Sequence, residues 1–199
     1  MKRIARQDVF DLVAYEHVRE AFRARVIELK HPRRIAVGDR LTFVFENRDT
    51  VLFQIQEMLR AERTVKEDEI QAEIDTYNEL IPAPDGLSAT LMIEIPDAAL
   101  VRRELDRLIG IDEHVFLKIG DIQVRADFDS KQFEEDRISA VQYVRFPLGR
   151  EPAERFSDPS VLVALHVAHP NYRAAAPIEG PSRASLARDL ELDGEPPGP

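Results

Sequence analysis

Glu46, Asn47 and Arg48 stand where an apolar alternation gives way to a helical period, and Gln54 and Glu57 follow at helical spacing. Tyr77 and Asn78 close the next helical stretch, just before Glu79. Junctions of this kind are frequent ligand sites, because the first backbone N–H groups of a helix have no partner inside it. Gln54 and Glu57 lie one turn apart and are expected to share a face. Read as chemistry, Glu57 is the general base, Tyr77 a hydrogen-bond donor and Arg48 a clamp for an anion, provided the fold brings all three into one concavity. Read as architecture, Asn47 caps the helix while Glu46, Arg48 and Gln54 tie strand to helix, because backbone groups at such a junction need partners in any case. The candidate ligand-binding set is therefore Glu46, Asn47, Arg48, Gln54, Glu57, Tyr77 and Asn78.

Metal chemistry has thinner support. His166 and His169 form the one close histidine pair, three residues apart, and His114 is a further candidate. Two imidazoles with a distant carboxylate could hold a metal, but a zinc site takes three or four ligands. No Glu-x-x-His motif accompanies the carboxylates of residues 57–79, so a di-iron bundle is not indicated. Those acids alternate with apolar stripes and read as solvated helix faces. The glycines are scattered singly, which leaves no phosphate-cradling loop or dinucleotide fingerprint. G-x-S-x-G and H-E-x-x-H are absent. The chain has no cysteine, which removes disulfides, thiolate nucleophiles and thiolate-held clusters together. No cofactor is expected.

The elements that must position these groups follow from periodicity. Asp8 can open a short helix over 8–14, and Val18, Phe22, Val26 and Leu29 give a second helix, over 16–30, an apolar stripe that Pro32 ends. Residues 35–37 and 41–45 read as strands around a Gly38-Asp39 turn, with Leu41, Phe43 and Phe45 on one face and Thr42 and Val44 on the other. Val51, Leu52, Ile55, Met58 and Leu59 mark the junction helix, and a second acidic helix runs over 66–80. A strand is expected over 88–95 and a helix capped by Asp97 after it, with Gly110 in a left-handed conformation beyond its end. Gly120-Asp121 fits a type II′ turn, and that register pairs Ile119 with Ile122 and Leu117 with Val124. Residues 139–146 and 160–168 are further strands, the second apolar enough to be central, and 181–190 is a last helix. The order does not alternate strand and helix. It predicts an α+β domain over 1–190, with a mixed or mostly antiparallel sheet and helices mainly on one face, followed by a disordered tail at 191–199.

Composition narrows the partners. The 199 residues carry a net charge of −10, which argues against nucleic acid as a partner. Residues 1–40 are an exception, with ten basic and six acidic side chains, including the run Lys30-His31-Pro32-Arg33-Arg34. That run is expected to fold onto the acidic body of the chain; meeting an external anion is the alternative. No apolar stretch approaches the ~20 residues that span a bilayer, and the N-terminus lacks the apolar core of a signal peptide. The expected location is the cytoplasm, with no membrane partner.

The segments FVFENRDTVLFQIQEMLRAER, IDTYNELIP, IGIDEHVFLKIG, SAVQYVRFPL and HPNYRA together resemble the bacterial domain-of-unknown-function 3501 family, over residues 2–190. The family carries no assigned activity and no catalytic residues to transfer. The resemblance implies an accessory role beside redox proteins, of the rubrerythrin-like or iron–sulfur oxidoreductase kind. Three readings result: a binding or accessory protein docked on such a partner, a small-molecule-binding protein or enzyme at residues 46–57, and a histidine–carboxylate metal protein.

Overall fold

Leu41–Phe45 is buried along its whole length, which a strand with one solvated face would not be. The reason is that the sheet containing it is covered on both sides. In the computed structural model, which describes residues 1–129, 133–134 and 137–190, the chain runs α1 (Leu12–Lys30), β1 (Arg34–Val37), β2 (Leu41–Phe45), α2 (Arg48–Glu62), α3 (Glu67–Asn78), β3 (Gly86–Ile93), α4 (Val101–Asp106), β4 (Val115–Ile119), β5 (Ile122–Arg125), β6 (Asp127–Phe128), β7 (Phe133–Glu134), β8 (Arg137–Ile138), β9 (Val141–Pro147), α5 (Arg150–Ser157), β10 (Val163–His169), β11 (Tyr172–Pro177) and α6 (Gly180–Ala187). The expected tail, 191–199, lies outside the described residues.

The fold is α+β, and its strands form two antiparallel sheets where the sequence suggested one. The first has the order β1-β2-β3-β9-β6 and the second β11-β10-β4-β5, while β7 and β8 pair with each other. The chain crosses between the sheets at Ala126, whose N–H still bonds Val115 in the second sheet while Asp127 already pairs with Arg145 in the first. The two sheets share one core. Phe43, Phe45, Leu91 and Phe146 enter it from one side, Leu117, Ile119 and Leu165 from the other, all fully buried. Each such side chain contributes about 1.5–3 kcal/mol by leaving water. Phe45 and Phe146 stack at 6.0 Å between ring centroids.

A second, smaller core lies on the outer side of the five-stranded sheet. Val51, Ile55 and Leu59 of α2 meet Ile70, Ile74 and Tyr77 of α3, with Ile4, Val9 and the β9 residue Tyr143 packed on them. Thr42 and Val44 are buried under this helical layer. The helices are not confined to one face, however: α5 and α6 send Ala153, Phe156 and Leu186 into the core between the sheets.

Local signals mostly work as read. Asp11, not Asp8, caps a single α1: its carboxylate accepts the Ala14 N–H at 2.8 Å. Asp8 instead closes a 3-10 turn, Arg6–Asp8, by accepting from the Ala5 N–H. The β4–β5 hairpin has the expected register, with Gly120 at φ 60°. At the β1–β2 turn, Gly38 has φ 71° and leaves room for the Tyr172 hydroxyl, which would collide with any Cβ there. That hydroxyl donates to Val37 O at 2.7 Å and accepts from Arg40 N at 3.2 Å, fastening β11 to the far sheet. The basic run after α1 is absorbed by the fold. Arg33 is buried against Asp189 and bonds the carbonyls of Phe45 and Glu46, and Arg34 pairs with Glu94.

Candidate functional site

The β2–α2 junction is held by reciprocal bonds. Asn47 is extended and accepts the Thr50 N–H at 3.0 Å, while Thr50 Oγ1 accepts the Asn47 N–H at 2.9 Å. Glu46 is buried, with 2% of its surface exposed. Its carboxylate accepts hydroxyl protons from Thr50 at 2.5 Å and Thr90 at 2.7 Å. A buried carboxylate needs such donors.

Gln54 lies one further turn along α2, beside the phenols of Tyr77 on α3 and Tyr143 on β9. Burial pushes both phenols above their usual range, and the Gln54 amide pulls each back part of the way. Glu46 adds to the upward push on Tyr143. Both tyrosines therefore remain protonated and able to donate at neutral pH. They open on a concavity of about 210 Å³ that Thr76, Leu80, Asp129 and Arg145 also line. Arg145 is directed there by two bonds to the Glu79 carbonyl, at 3.1 and 3.3 Å. Glu46, Gln54 and Tyr77 are thus gathered into one polar cluster.

The remaining candidates go elsewhere. Arg48 pairs with Asp8 at 2.7 Å and borders a different concavity, of about 400 Å³, beside Phe10, Val18, Phe22 and Leu52. Glu57 turns to α1, where it accepts from Tyr15 Oη and from Nε and Nη2 of Arg19, each at 2.7 Å. The Arg19 bonds hold the Glu57 carboxyl below the usual carboxylate range. Asn78 is buried and clamps the backbone of Ile4, accepting from its N–H at 2.9 Å and donating to its carbonyl at 2.8 Å. The expected grouping of Glu57 as base, Tyr77 as donor and Arg48 as clamp is therefore not formed. The three sit on separate surfaces, and Glu57 already carries three hydrogen bonds and a depressed pKa, the opposite of what a general base needs.

The histidines do not form a ligand pair either. Residues 166 and 169 differ by an odd number along β10, so His169 turns to the buried side and His166 to the outer face. His169 Nδ1 accepts the Asn171 N–H at 3.2 Å, which leaves Nε2 to donate to Ile109 O at 3.0 Å. Both nitrogens are engaged. His114 packs edge-on against the His169 ring, 5.3 Å between centroids. Among the described residues no group of three or more His, Asp or Glu side chains is placed to hold a metal ion.

Sequence reasoning missed the partners supplied from afar, Thr90 and Tyr143. Ser88 and Thr90 alternate with Leu87, Ala89 and Leu91, a pattern that puts hydroxyls on one sheet face and could have signalled the cluster. It also missed a surface. Phe10 is 45% exposed, Val13 72% and Val65 70%. Phe10 divides the 400 Å³ concavity from a second one of about 340 Å³, which Val13, Leu59, Val65 and Ile70 line. The result is an apolar strip across the helical layer. Among the described residues no helix is long and apolar enough to cross a membrane.

Residues 3–190 match the family described as "Protein of unknown function (DUF3501)". Among solved structures, the chain is similar to the crystal structure of a novel protein of unknown function from Burkholderia pseudomallei K96243. The two are 36% identical with a TM-score of 0.89, over 96% of this chain and 100% of that one. No curated protein matches the chain.

Proposed function

The chain belongs to the DUF3501 family, and we propose that it is a binding or accessory protein that docks on a partner through the apolar strip of its helical layer. The observation that carries this reading is the exposure of Phe10, Val13 and Val65 around two adjoining concavities. Large apolar side chains grouped in this way on a soluble surface mark an interaction site. Ion pairs at the rim, Arg48 with Asp8 and Arg6 with Glu67, give the strip the polar border of a protein interface. The partner class is the one implied by the family resemblance, a rubrerythrin-like or iron–sulfur oxidoreductase protein. Affinity capture from the native host, with the unaltered chain and with Val13→Lys/Val65→Lys, tests it. A redox protein retained by the first and lost by the second is the expected result. Recovery of no such protein by the unaltered chain counts against the reading.

A second reading is favoured by the Glu46–Gln54–Tyr77–Tyr143 cluster. Two protonated phenols around about 210 Å³, with Arg145 set between the Glu79 and Asp129 carboxylates, suit a small polar ligand that accepts the phenol hydrogen bonds and meets the arginine. A thermal-shift screen of small carboxylates and phosphates, repeated on Tyr77→Phe and Tyr143→Phe, separates this reading from the first. A ligand whose shift disappears in both variants supports it, and shifts unchanged by either variant refute it.

A further inference from the structure

The four-stranded sheet is built without a carboxylate. β4, β5, β10 and β11 contain no Asp or Glu at any position, in a chain with 37 acidic residues. Their inward side chains fill the shared core, and their outward ones are exposed or half-buried. Antiparallel register sets Ala175, His166, Phe116 and Arg125 in one row across the outer face. Lys118 lies in the next row, opposite Ala164, and Arg173 flanks the other side, opposite Ala168.

Many of the fold's cations are matched to its own acids, Arg19 to Glu57, Arg33 to Asp189, Arg48 to Asp8 and Arg155 to Asp121 among them. Lys118, Arg125 and Arg173 are instead gathered on one sheet face whose strands carry no carboxylate. None of the three makes an ion pair among the described residues. The next carboxylate along the chain, Asp127, has already crossed to the other sheet, where it opposes Arg145. One polar atom of the face is also unsatisfied: His166 Nδ1 is buried without a hydrogen-bond partner among the described residues. Burial and the neighbouring Lys118 hold the His166 pKa below its usual value, so the positive charge of this face resides on the three long side chains.

We propose that the outer face of the four-stranded sheet docks an acidic segment of a partner protein, whose carboxylates meet Lys118, Arg125 and Arg173 while its apolar side chains lie over Phe116 and the small alanines beside it. Charge complementarity selects the occupant. Three uncompensated cations on a molecule of net charge −10 form a local attractor that a uniformly acidic surface lacks. A single strand of nucleic acid is disfavoured, because it stacks successive bases on several aromatic side chains and this face presents one, Phe116. The sheet face is separate from the helical strip, so the inference stands independently of the function proposed above.

The test measures fluorescence anisotropy of labelled poly-L-glutamate and of labelled oligo-dT at low and moderate salt with the full-length chain. The variants are Lys118→Glu/Arg125→Glu/Arg173→Glu and, as a control of equal charge change, Lys2→Glu/Arg3→Glu/Arg23→Glu. Poly-L-glutamate is expected to bind the unaltered chain in a salt-sensitive manner, to bind the sheet variant at least about tenfold more weakly, and to retain most of its affinity for the control. Ala175→Glu, at an exposed position that carries no packing, is expected to weaken binding in the same direction even where the triple variant folds poorly. Preference for oligo-dT, equal losses in the sheet variant and the control, or no binding of poly-L-glutamate would each overturn the proposal.

Discussion

Replacing Glu57 by alanine tests whether this residue is a structural clamp or a catalytic group. In the folded chain it receives the hydroxyl proton of Tyr15, a residue with no exposed surface, and two N–H bonds from Arg19. Glu57→Ala leaves the Tyr15 hydroxyl without its acceptor. A buried donor left unpaired costs about 1–3 kcal/mol, so a loss of about 2 kcal/mol is expected. The Arg19 ion pair is excluded from this figure because solvent screens it. For a domain of this size that loss corresponds to a fall in Tm of about 4–8 °C. Glu57→Gln keeps an acceptor for Tyr15 and should lose about half as much. Urea denaturation of both variants, with Tyr15→Phe and the double variant Tyr15→Phe/Glu57→Ala, completes the cycle, and the double variant should be less destabilised than the sum of the single ones. The pH dependence has a defined sign. The folded pKa of Glu57 is depressed by Arg19, so its contribution is fully present above the unfolded value of about 4.3 and is lost as pH falls from there through the folded value. A Glu57→Ala chain as stable as the unaltered one at pH 7 would refute the reasoning.

Three other predictions concern the joints of the fold. Asn78→Ala removes both bonds to Ile4 and should cost about 1–3 kcal/mol, seen as accelerated hydrogen exchange at the Ile4 amide before any change in the sheets. Arg33→Met leaves Asp189 buried without its partner and should cost about 3–5 kcal/mol, whereas Arg33→Met/Asp189→Leu should recover part of that loss in chemical denaturation, the carbonyls of Phe45 and Glu46 still lacking the donor that Arg33 supplied. Burial raises the folded pKa of Asp189; protonation is then favoured in the folded state, so this group adds stability as pH falls through its folded value, opposite in sign to Glu57. Gly38→Ala meets both a left-handed φ and the Tyr172 hydroxyl and should lower Tm by several degrees, with partial recovery in Gly38→Ala/Tyr172→Phe.

Much of the architecture was legible because its signals are local. Gly120-Asp121 dictates a turn type, the turn type dictates a register, and the register of β4 and β5 follows. Asn47 lies just before a helical period and caps it. The division into two sheets is not legible in this way. It depends on the chain changing sheets at Ala126, where neither composition nor alternation marks a break. β11 escaped notice because Tyr172–Pro177 is an alanine-rich run with little hydrophobic contrast. α5 was obscured by its charges and by Pro152, so that Ala153 and Phe156 alone face inward. At the site, Glu46, Gln54 and Tyr77 stood out as polar residues at a strand–helix junction and on the helices after it, and the fold brings them together. Spacing does not show where Glu57 turns, because the position of α1 decides which carboxylate is taken up by arginine, and that is a long-range fact. Thr90 and Tyr143 complete the cluster from strands far away in sequence, where periodicity can place a residue on a face but not beside a particular neighbour.

The Tyr172 hydroxyl and the crossing at Ala126 have a consequence for how the two sheets hold together. The first brings β11 against β1, and the second carries the chain from β5 to β6, beside β9. The sheets are thereby tied at both flanks, once by a side chain and once by the main chain. The main-chain tie is covalent, whereas the side-chain tie rests on one phenol, so losing the Tyr172 hydroxyl loosens the β1–β11 flank and leaves the other joined.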